Sequence, residues 1–180
     1  LKRFGVETTY FAAGDDIGPL LKPNTRAVFC ESPGSLTFEM QDIPALAQAA
    51  HANNASVLLD NTWATPLFFK TFAHGVDLSI QAATKYVGGH ADVMFGYVRA
   101  NEGHCARLQE THGDTGLYIS GDDAYLALRG LRTMPVRLAQ HQKTAPEIAR
   151  RLEPPPAVSR VMSPALESDS GHAIWKRDFT

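Results

Sequence analysis

Two short apolar runs near the middle of the chain each end on a polar residue that could take part in chemistry. Residues 56–59 (SVLL) lead to Asp60, and residues 76–83 (VDLSIQAA) lead to Thr84 and Lys85. Both runs have strand length, and the roughly two dozen residues from Asp60 to Lys85 allow one crossover connection. If the strands are parallel neighbours, the carboxylate and the amine emerge at the same carboxyl edge, where open α/β sheets bind ligands.

A carboxylate and an amine so placed suit a cofactor that carries a basic ring nitrogen and an aldehyde. Lysine can form a Schiff base with a carbonyl when it loses its proton, Asp60 could hold a cationic ring nitrogen, and Thr84 offers donors to an anion. These are the needs of pyridoxal phosphate. On spacing alone, however, a lysine at such a place is usually a solvated surface residue, and a strand-end aspartate is commonly a turn cap.

The surrounding sequence predicts an α/β fold. Residues 26–31 (RAVFCE) form a buried strand, Asp42 is a suitable helix N-cap with Pro44 in the first turn, and the strand that ends at Asp60 follows. Strand, helix and strand make a right-handed βαβ unit with parallel strands. The stretch after Lys85 is too short for a crossover, so the next apolar run should return antiparallel, giving a mixed, mostly parallel sheet.

Three helical segments are expected after the sheet. One begins near Asn101 and ends at Gly113, and a second is capped by Asp122 or Asp123 and runs to Leu138 with a bend near Gly130 and Pro135. The third lies in residues 145–152. Further strands are expected at residues 5–11 and 157–162.

The composition is that of an ordinary globular protein. Apolar residues make up 44% and charged residues 20% of the chain, and the formal charge is −2. This composition indicates no nucleic-acid partner, and no apolar run is long enough to cross a bilayer. Cys30 and Cys105 read as reduced thiols, and with no secretory signal at the start this predicts a cytoplasmic protein.

Several segments, in sequential order, resemble the Cys/Met-metabolism family of pyridoxal-phosphate enzymes. Residues 79–86 (SIQAATKY) with 89–92 (GHAD) resemble the family's lysine motif. Residues 60–66 (DNTWATP) resemble its segment that binds the ring nitrogen, and residues 31–35 (ESPGS) resemble its loop beside the ring hydroxyl. The resemblance continues through residues 128–133 (LRGLRT) and 171–179 (GHAIWKRDF) and covers most of the chain from Arg26 onward.

The resemblance implies a cofactor, a fold and a set of site residues. The fold would be three-layer α/β/α, aspartate-aminotransferase-like (fold type I), followed by the start of a small C-terminal α+β domain. Lys85 would bind pyridoxal 5'-phosphate and act as the catalytic base, and Asp60 would pair with the ring nitrogen. Thr62 and Thr84 would contact the cofactor, and Ser35 would lie beside the ring oxygen. No metal site is implied; His90 and Asp92 lack a third ligand with suitable spacing.

The implied activity is that of a carbon–sulfur lyase. Pro33, Gly34, Ser35 and Trp63 resemble the subgroup that converts cystathionine by β-elimination to homocysteine, pyruvate and ammonia in transsulfuration and methionine biosynthesis. Ala82 departs from the many relatives that have serine there. A γ-synthase, a γ-lyase, and a non-catalytic or incomplete piece of such an enzyme remain open alternatives.

The resemblance also implies a homo-oligomer of larger subunits. Family members complete each phosphate site with residues from a neighbouring subunit, so an assembly of the tetramer type is expected. The first residue is not Met, and we expect residues 1–131 to be a cofactor domain lacking its N-terminal part. Residues 132–180 would be a connecting helix and the truncated start of a second domain. Such a piece should turn over cystathionine poorly when isolated.

Overall fold

The computed structural model describes residues 1–179, which are organised around one four-stranded sheet. Its strands follow one another in space in the order β1-β2-β3-β4. The first three are parallel, and β4 is antiparallel to β3. The predicted mixed, mostly parallel sheet is therefore confirmed. The strands are β1 (Ala27–Glu31), β2 (Ser56–Asp60), β3 (Leu78–Gln81) and β4 (Tyr97–Ala100).

Six α-helices and three 3₁₀ turns complete the described part of the chain. Among residues 1–179, no helix is both long and apolar enough to cross a membrane. The helices are α1 (Ile43–Ala52), α2 (Thr65–Phe68), α3 (Glu102–Thr115), α4 (Gly121–Leu131), α5 (Met134–Leu152) and α6 (His172–Asp178), and the 3₁₀ turns are Lys2–Phe4, Gly18–Leu20 and Thr71–His74.

Helix α1 shows why this part of the sequence folds as a βαβ unit. The Asp42 carboxylate accepts the Ala45 backbone N–H at 3.1 Å, and Pro44 occupies the first turn, where it loses no hydrogen bond. Ile43 and Ala50 are completely buried in the main core. Helix capping and an apolar face thus cooperate to place α1 between the parallel strands β1 and β2, as predicted.

The two faces of the sheet differ in burial. Val57 and Leu59 on β2 are fully buried in the core that includes α1, whereas Phe29 on β1 is 57% exposed on the opposite face. Successive side chains of a strand alternate between faces, so Asp60 points to the face away from Leu59. The register of β2 with β3 pairs Asp60 with Ile80 and puts both on that half-exposed side.

Two predicted strands and one predicted helix end are wrong. Residues 5–11 and 157–162 form no strand, because neither segment pairs with the sheet and most of their side chains stay exposed. Helix α3 begins after Asn101, as predicted, but it runs past the predicted end at Gly113 to Gly116, whose left-handed φ of 63° ends the helix.

The cap of α4 is also different from the prediction. Ser120 caps this helix instead of Asp122 or Asp123, because its hydroxyl accepts the Asp123 backbone N–H at 3.0 Å. The predicted interruption near Gly130 is present, since α4 ends at Leu131 and α5 begins at Met134.

The C-terminal segment packs back onto the main core. The Phe179 ring stacks on Phe69 with 4.6 Å between ring centroids, and the Arg177 guanidinium lies 3.0 Å from the Asp42 carboxylate. The hydrogen bonds from Arg177 hold the pKa of Asp42 below its ordinary value. The division of the chain at residue 131 stays a prediction.

A buried carboxylate ties the other edge of the sheet together. Asp77, just before β3, accepts the Val57 backbone N–H at 2.8 Å and the Asn101 side-chain amide at 2.8 Å, and the His51 ring lies at 2.9 Å. His104 lies 3.7 Å from the same carboxylate. Burial alone would raise the pKa of Asp77, but the hydrogen bonds from Val57 and His51 outweigh it and hold the pKa below its ordinary value.

This carboxylate predicts a pH dependence of stability. A carboxyl whose pKa is lowered by folding stabilises the protein above its unfolded pKa of about 3.9, and that contribution is lost as pH falls through the lower folded value. The free energy of unfolding should therefore decrease below about pH 4. Urea unfolding of the protein and of Asp77→Asn between neutral and acid pH measures the difference, which should be about 1–3 kcal/mol at neutral pH and shrink on acidification. Parallel curves for the two proteins would contradict this assignment.

Candidate functional site

The carboxyl ends of β2 and β3 meet at one edge of the sheet, as the sequence predicted. Asp60 and Ile80 are register partners, and the parallel ladder continues beyond them through the Asn61 N–H, which donates to the Ile80 carbonyl at 2.9 Å. The buried Gln81 side chain then donates to the Asn61 carbonyl at 2.8 Å. The segments that carry Asp60 and Lys85 therefore leave the sheet side by side.

Asp60 lies half-buried at the end of β2. Its Oδ1 accepts the backbone N–H of Thr62 at 2.9 Å, which fixes the turn that follows the strand. Within residues 1–179 the carboxylate makes no other hydrogen bond and no ion pair. Most of its accepting capacity therefore remains for a cationic group.

Thr62 joins the two segments directly. It is 8% exposed, and its hydroxyl accepts the Ala82 backbone N–H at 2.7 Å. A hydroxyl that accepts one hydrogen bond still has a proton to donate. Thr62 is therefore able both to hold the edge together and to contact a ligand there.

The sequence interpretation expected Thr84 to offer donors to an anion, but the structure bonds this residue to the backbone of Phe95. Its hydroxyl donates to the Phe95 carbonyl at 3.0 Å and accepts the Phe95 N–H at 2.9 Å. The Thr84 N–H also donates to the Phe95 carbonyl, at 3.0 Å. In this arrangement both donors of Thr84 fasten the strand-end segment to the start of the returning chain, and neither is free for a phosphate.

Lys85 lies in a tight turn just beyond this point. Its backbone N–H donates to the Ala82 carbonyl at 3.0 Å, and its own carbonyl accepts the Gly89 N–H at 2.8 Å. The side chain is exposed, and its amine makes no ion pair in the described chain. The backbone is held while the amine remains available.

An arginine that the sequence interpretation did not single out holds the turn from the other side. The Arg137 guanidinium, in the first turns of α5, donates to the Tyr86 carbonyl at 2.7 Å and to the Gly130 carbonyl at 2.9 Å. A Cβ on Gly89 would lie 2.5 Å from this guanidinium, and a Cβ on Gly130 would lie 2.1 Å from the Gly88 carbonyl oxygen. Two glycines thus permit the close approach of α4 and α5 to the lysine turn.

Ser35 follows β1, the strand beside β2. Its hydroxyl donates to the Glu31 carboxylate at 2.5 Å, in an exposed loop. Trp63 is 37% exposed, and its ring contacts Phe179 edge-on at a centroid distance of 6.4 Å. Both residues follow strands at the same edge of the sheet, but their contact with a ligand stays a prediction.

The available groups match part of pyridoxal phosphate. A carboxylate with spare accepting capacity suits the ring nitrogen, and an unpaired amine suits the aldehyde. The phosphate is less well provided for, because the donors of Thr84 are engaged and Ala82 has no hydroxyl. Within residues 1–179 no group of three or more His, Cys, Asp or Glu side chains is arranged to bind a metal ion.

Comparison with known proteins defines the class. The sequence profile of the Cys/Met-metabolism pyridoxal-phosphate-dependent enzymes matches residues 1–180, and the chain belongs to this family. The family's cofactor is pyridoxal 5'-phosphate. In structure, the chain is similar to cystathionine gamma-lyase from Lactobacillus plantarum complexed with L-serine, with a TM-score of 0.95 and 27% identity over 99% of this chain and 48% of that one. The predicted three-layer α/β/α fold of type I is confirmed.

Relatives of known name narrow the comparison further. The chain is 51% identical to a putative cystathionine beta-lyase of Rhizobium johnstonii over 99% of its length and 46% of the relative's. It is 45% identical to cystathionine beta-lyase MetC of Escherichia coli, over all of this chain and 47% of that protein. The chain spans about half the length of these relatives. An L-methionine gamma-lyase of Fusobacterium nucleatum is 35% identical, so the family alone does not define one reaction.

Proposed function

We propose that this protein is the cofactor-binding part of a carbon–sulfur lyase that cleaves cystathionine by β-elimination. The observation that carries the proposal is the meeting of Asp60 and the Lys85 segment at one sheet edge, joined through Thr62. Two relatives that share 45% and 51% identity with this chain are named cystathionine beta-lyases, which supports elimination at the β-carbon. The reaction would belong to transsulfuration and methionine biosynthesis.

Each site residue has a distinct task in this reaction. When bound here, pyridoxal phosphate supplies an acceptor for the electron pair left by the Cα–H bond. The Asp60 carboxylate keeps the ring nitrogen protonated, which maintains that acceptor. The Lys85 amine would take the Cα proton and then give a proton to the departing sulfur.

The products follow from the bonds that change. The Cβ–S bond breaks, and the sulfur leaves with a proton as homocysteine. The remaining three-carbon fragment is hydrolysed to pyruvate and ammonia. Thr62 and Ser35 would orient the ring during these steps by hydrogen bonding.

Covalent trapping at Lys85 tests the cofactor assignment. The protein is mixed with pyridoxal phosphate and reduced with sodium borohydride, and peptides are sequenced by mass spectrometry. We expect the pyridoxyl group on Lys85, because its segment leaves the sheet beside Asp60, whose carboxylate can hold the ring nitrogen of the same cofactor molecule. Lys143, exposed on α5, is the matched control, and its degree of modification should be only that of an ordinary surface lysine. Modification spread evenly over surface lysines would reject the site.

Product analysis separates β-elimination from the alternative at the γ-carbon. The relative named L-methionine gamma-lyase and the structural similarity to a cystathionine gamma-lyase make the latter the second candidate. Pyruvate released from cystathionine by the whole enzyme supports the proposal, whereas 2-oxobutyrate would establish γ-elimination.

We further propose a homo-oligomeric enzyme in which residues outside this chain complete the phosphate site. The 180-residue chain alone should then show little turnover.

A further inference from the structure

A cavity with two cationic side chains in its wall lies on the opposite face of the sheet from Asp60. It has a volume of about 250 Å³ and lies between the 3₁₀ turn Thr71–His74 and the β3–β4 edge. In the sheet register Ser79 pairs with Leu59 on one side and with Arg99 on the other. These three residues share the face away from Asp60, so the cavity is separate from the proposed cofactor site.

The charge at this cavity is one-sided. Lys70 and Arg99 line it, and none of its other lining residues within 1–179 is an aspartate or a glutamate. Neither cation makes an ion pair within residues 1–179. The whole chain carries a formal charge of −2, so the presence of two cations without ion-pair partners at one cavity does not follow from a basic composition. Two like charges beside one cavity favour a bound counter-ion.

Two further features of the cavity suit an anion. The Arg99 guanidinium lies over the Phe72 ring, 5.9 Å from its centroid, which restrains the side chain while leaving its N–H groups free. Ser79 is only 4% exposed and lines the cavity, and its hydroxyl makes no hydrogen bond within the described chain. A hydroxyl that lines a cavity and makes no hydrogen bond to protein can donate to a ligand there.

We propose that this cavity binds a small oxyanion of the phosphate or carboxylate class. Arg99 offers a forked donor, Lys70 a point charge and Ser79 a hydroxyl, which together suit a group with several accepting oxygens. The volume is below the usual range for drug-sized ligands, so the ligand is a small ion or the anionic end of a metabolite. This site is independent of the reaction proposed at Lys85.

Titration with inorganic phosphate, and in a second arm with acetate, tests the proposal and distinguishes the two chemistries. At constant ionic strength, NMR resonances of residues 70–73, 79 and 99 should shift with saturation. Loss of one charged donor should weaken binding by roughly tenfold or more, because hydrogen bonds from charged groups are stronger than those between neutral groups. We therefore expect weaker binding in both Arg99→Gln and Lys70→Gln, and also in Ser79→Ala. The control Arg107→Gln, on the exposed face of α3, should bind as the unmodified protein does.

The same experiment separates this site from the cofactor site. Saturating shifts at residues 70–73 and 79 that are lost in Arg99→Gln, while any shifts near Asp60 and Lys85 persist, would support binding at this cavity and not at the cofactor edge. Borohydride trapping at Lys85 should be unchanged in Arg99→Gln. Absent or non-saturating shifts at residues 70–73 and 79, or equal affinities in all variants, would overturn the proposed oxyanion site.

Discussion

Asp60→Asn is expected to lower pyruvate release from cystathionine by roughly a hundredfold. Truncating one partner of a desolvated charge pair costs about 2–5 kcal/mol, and 1.36 kcal/mol corresponds to a tenfold change in rate. The substitution is informative because asparagine keeps an oxygen able to accept the Thr62 N–H, the one hydrogen bond that the Asp60 carboxylate makes in the described chain. The turn should persist while the charge under the ring nitrogen is lost.

Two companion variants make the Asp60 result interpretable. Asp114→Asn removes an exposed carboxylate of α3 that makes no ion pair in residues 1–179, and it should leave turnover unchanged. Asp60→Glu keeps the charge but displaces it, so it should recover only part of the activity. Steady-state pyruvate release is measured at saturating cofactor in the whole enzyme. Activity of Asp60→Asn within twofold of the unmodified enzyme would exclude the carboxylate as the partner of the ring nitrogen.

The sheet and the edge at which Asp60 and the Lys85 segment meet were predictable because strand ends are visible in sequence. The apolar runs before Asp60 and Lys85 stop at polar residues, and the distance between them allows the one crossover that parallel pairing requires. The short connection after Lys85 likewise determined the antiparallel β4. Each inference rested on local pattern and chain length, which a single sequence contains.

Residue type was a poorer guide where one group can serve several partners. The Thr84 hydroxyl can bind an anion or backbone, and here it binds the backbone of Phe95. Residues 5–11 have the apolar content of a strand but lack a neighbouring strand in the described chain, so strand propensity alone did not suffice. Ser120 caps α4, whereas Asp122 and Asp123 do not. All three residue types can cap a helix, so residue type alone could not identify the cap.

The contribution of Arg137 was not predictable from sequence. Its partners are backbone carbonyls, which every residue carries, and Tyr86 lies 51 positions away along the chain. The two glycines that allow this contact, Gly89 and Gly130, give no indication of their partners either. Long-range contacts to backbone become visible only in the folded structure, although they determine how the lysine turn is held.

Arg137→Ala is expected to loosen that turn and to reduce cofactor trapping at Lys85. The variant loses charged donors to the Tyr86 and Gly130 carbonyls, which are part-buried, so the free energy of unfolding should fall by about 2 kcal/mol. Amides of residues 86–89 should exchange faster with solvent. Because small displacements of a reacting group reduce rates strongly, trapping by borohydride should slow by about tenfold or more in the folded protein.

Matched variants distinguish positioning of Lys85 from general stability. Arg150→Ala alters an exposed arginine of the same helix that forms no ion pair among residues 1–179, and it should change neither exchange nor trapping. Arg137→Lys keeps the charge without the forked geometry, so it should restore stability better than it restores trapping. Gly130→Ala disturbs the same contact from α4, since its Cβ would meet the Gly88 carbonyl at 2.1 Å, and should slow trapping as well. If all variants trap at the same rate once corrected for the folded fraction, Arg137 stabilises the fold without positioning the lysine.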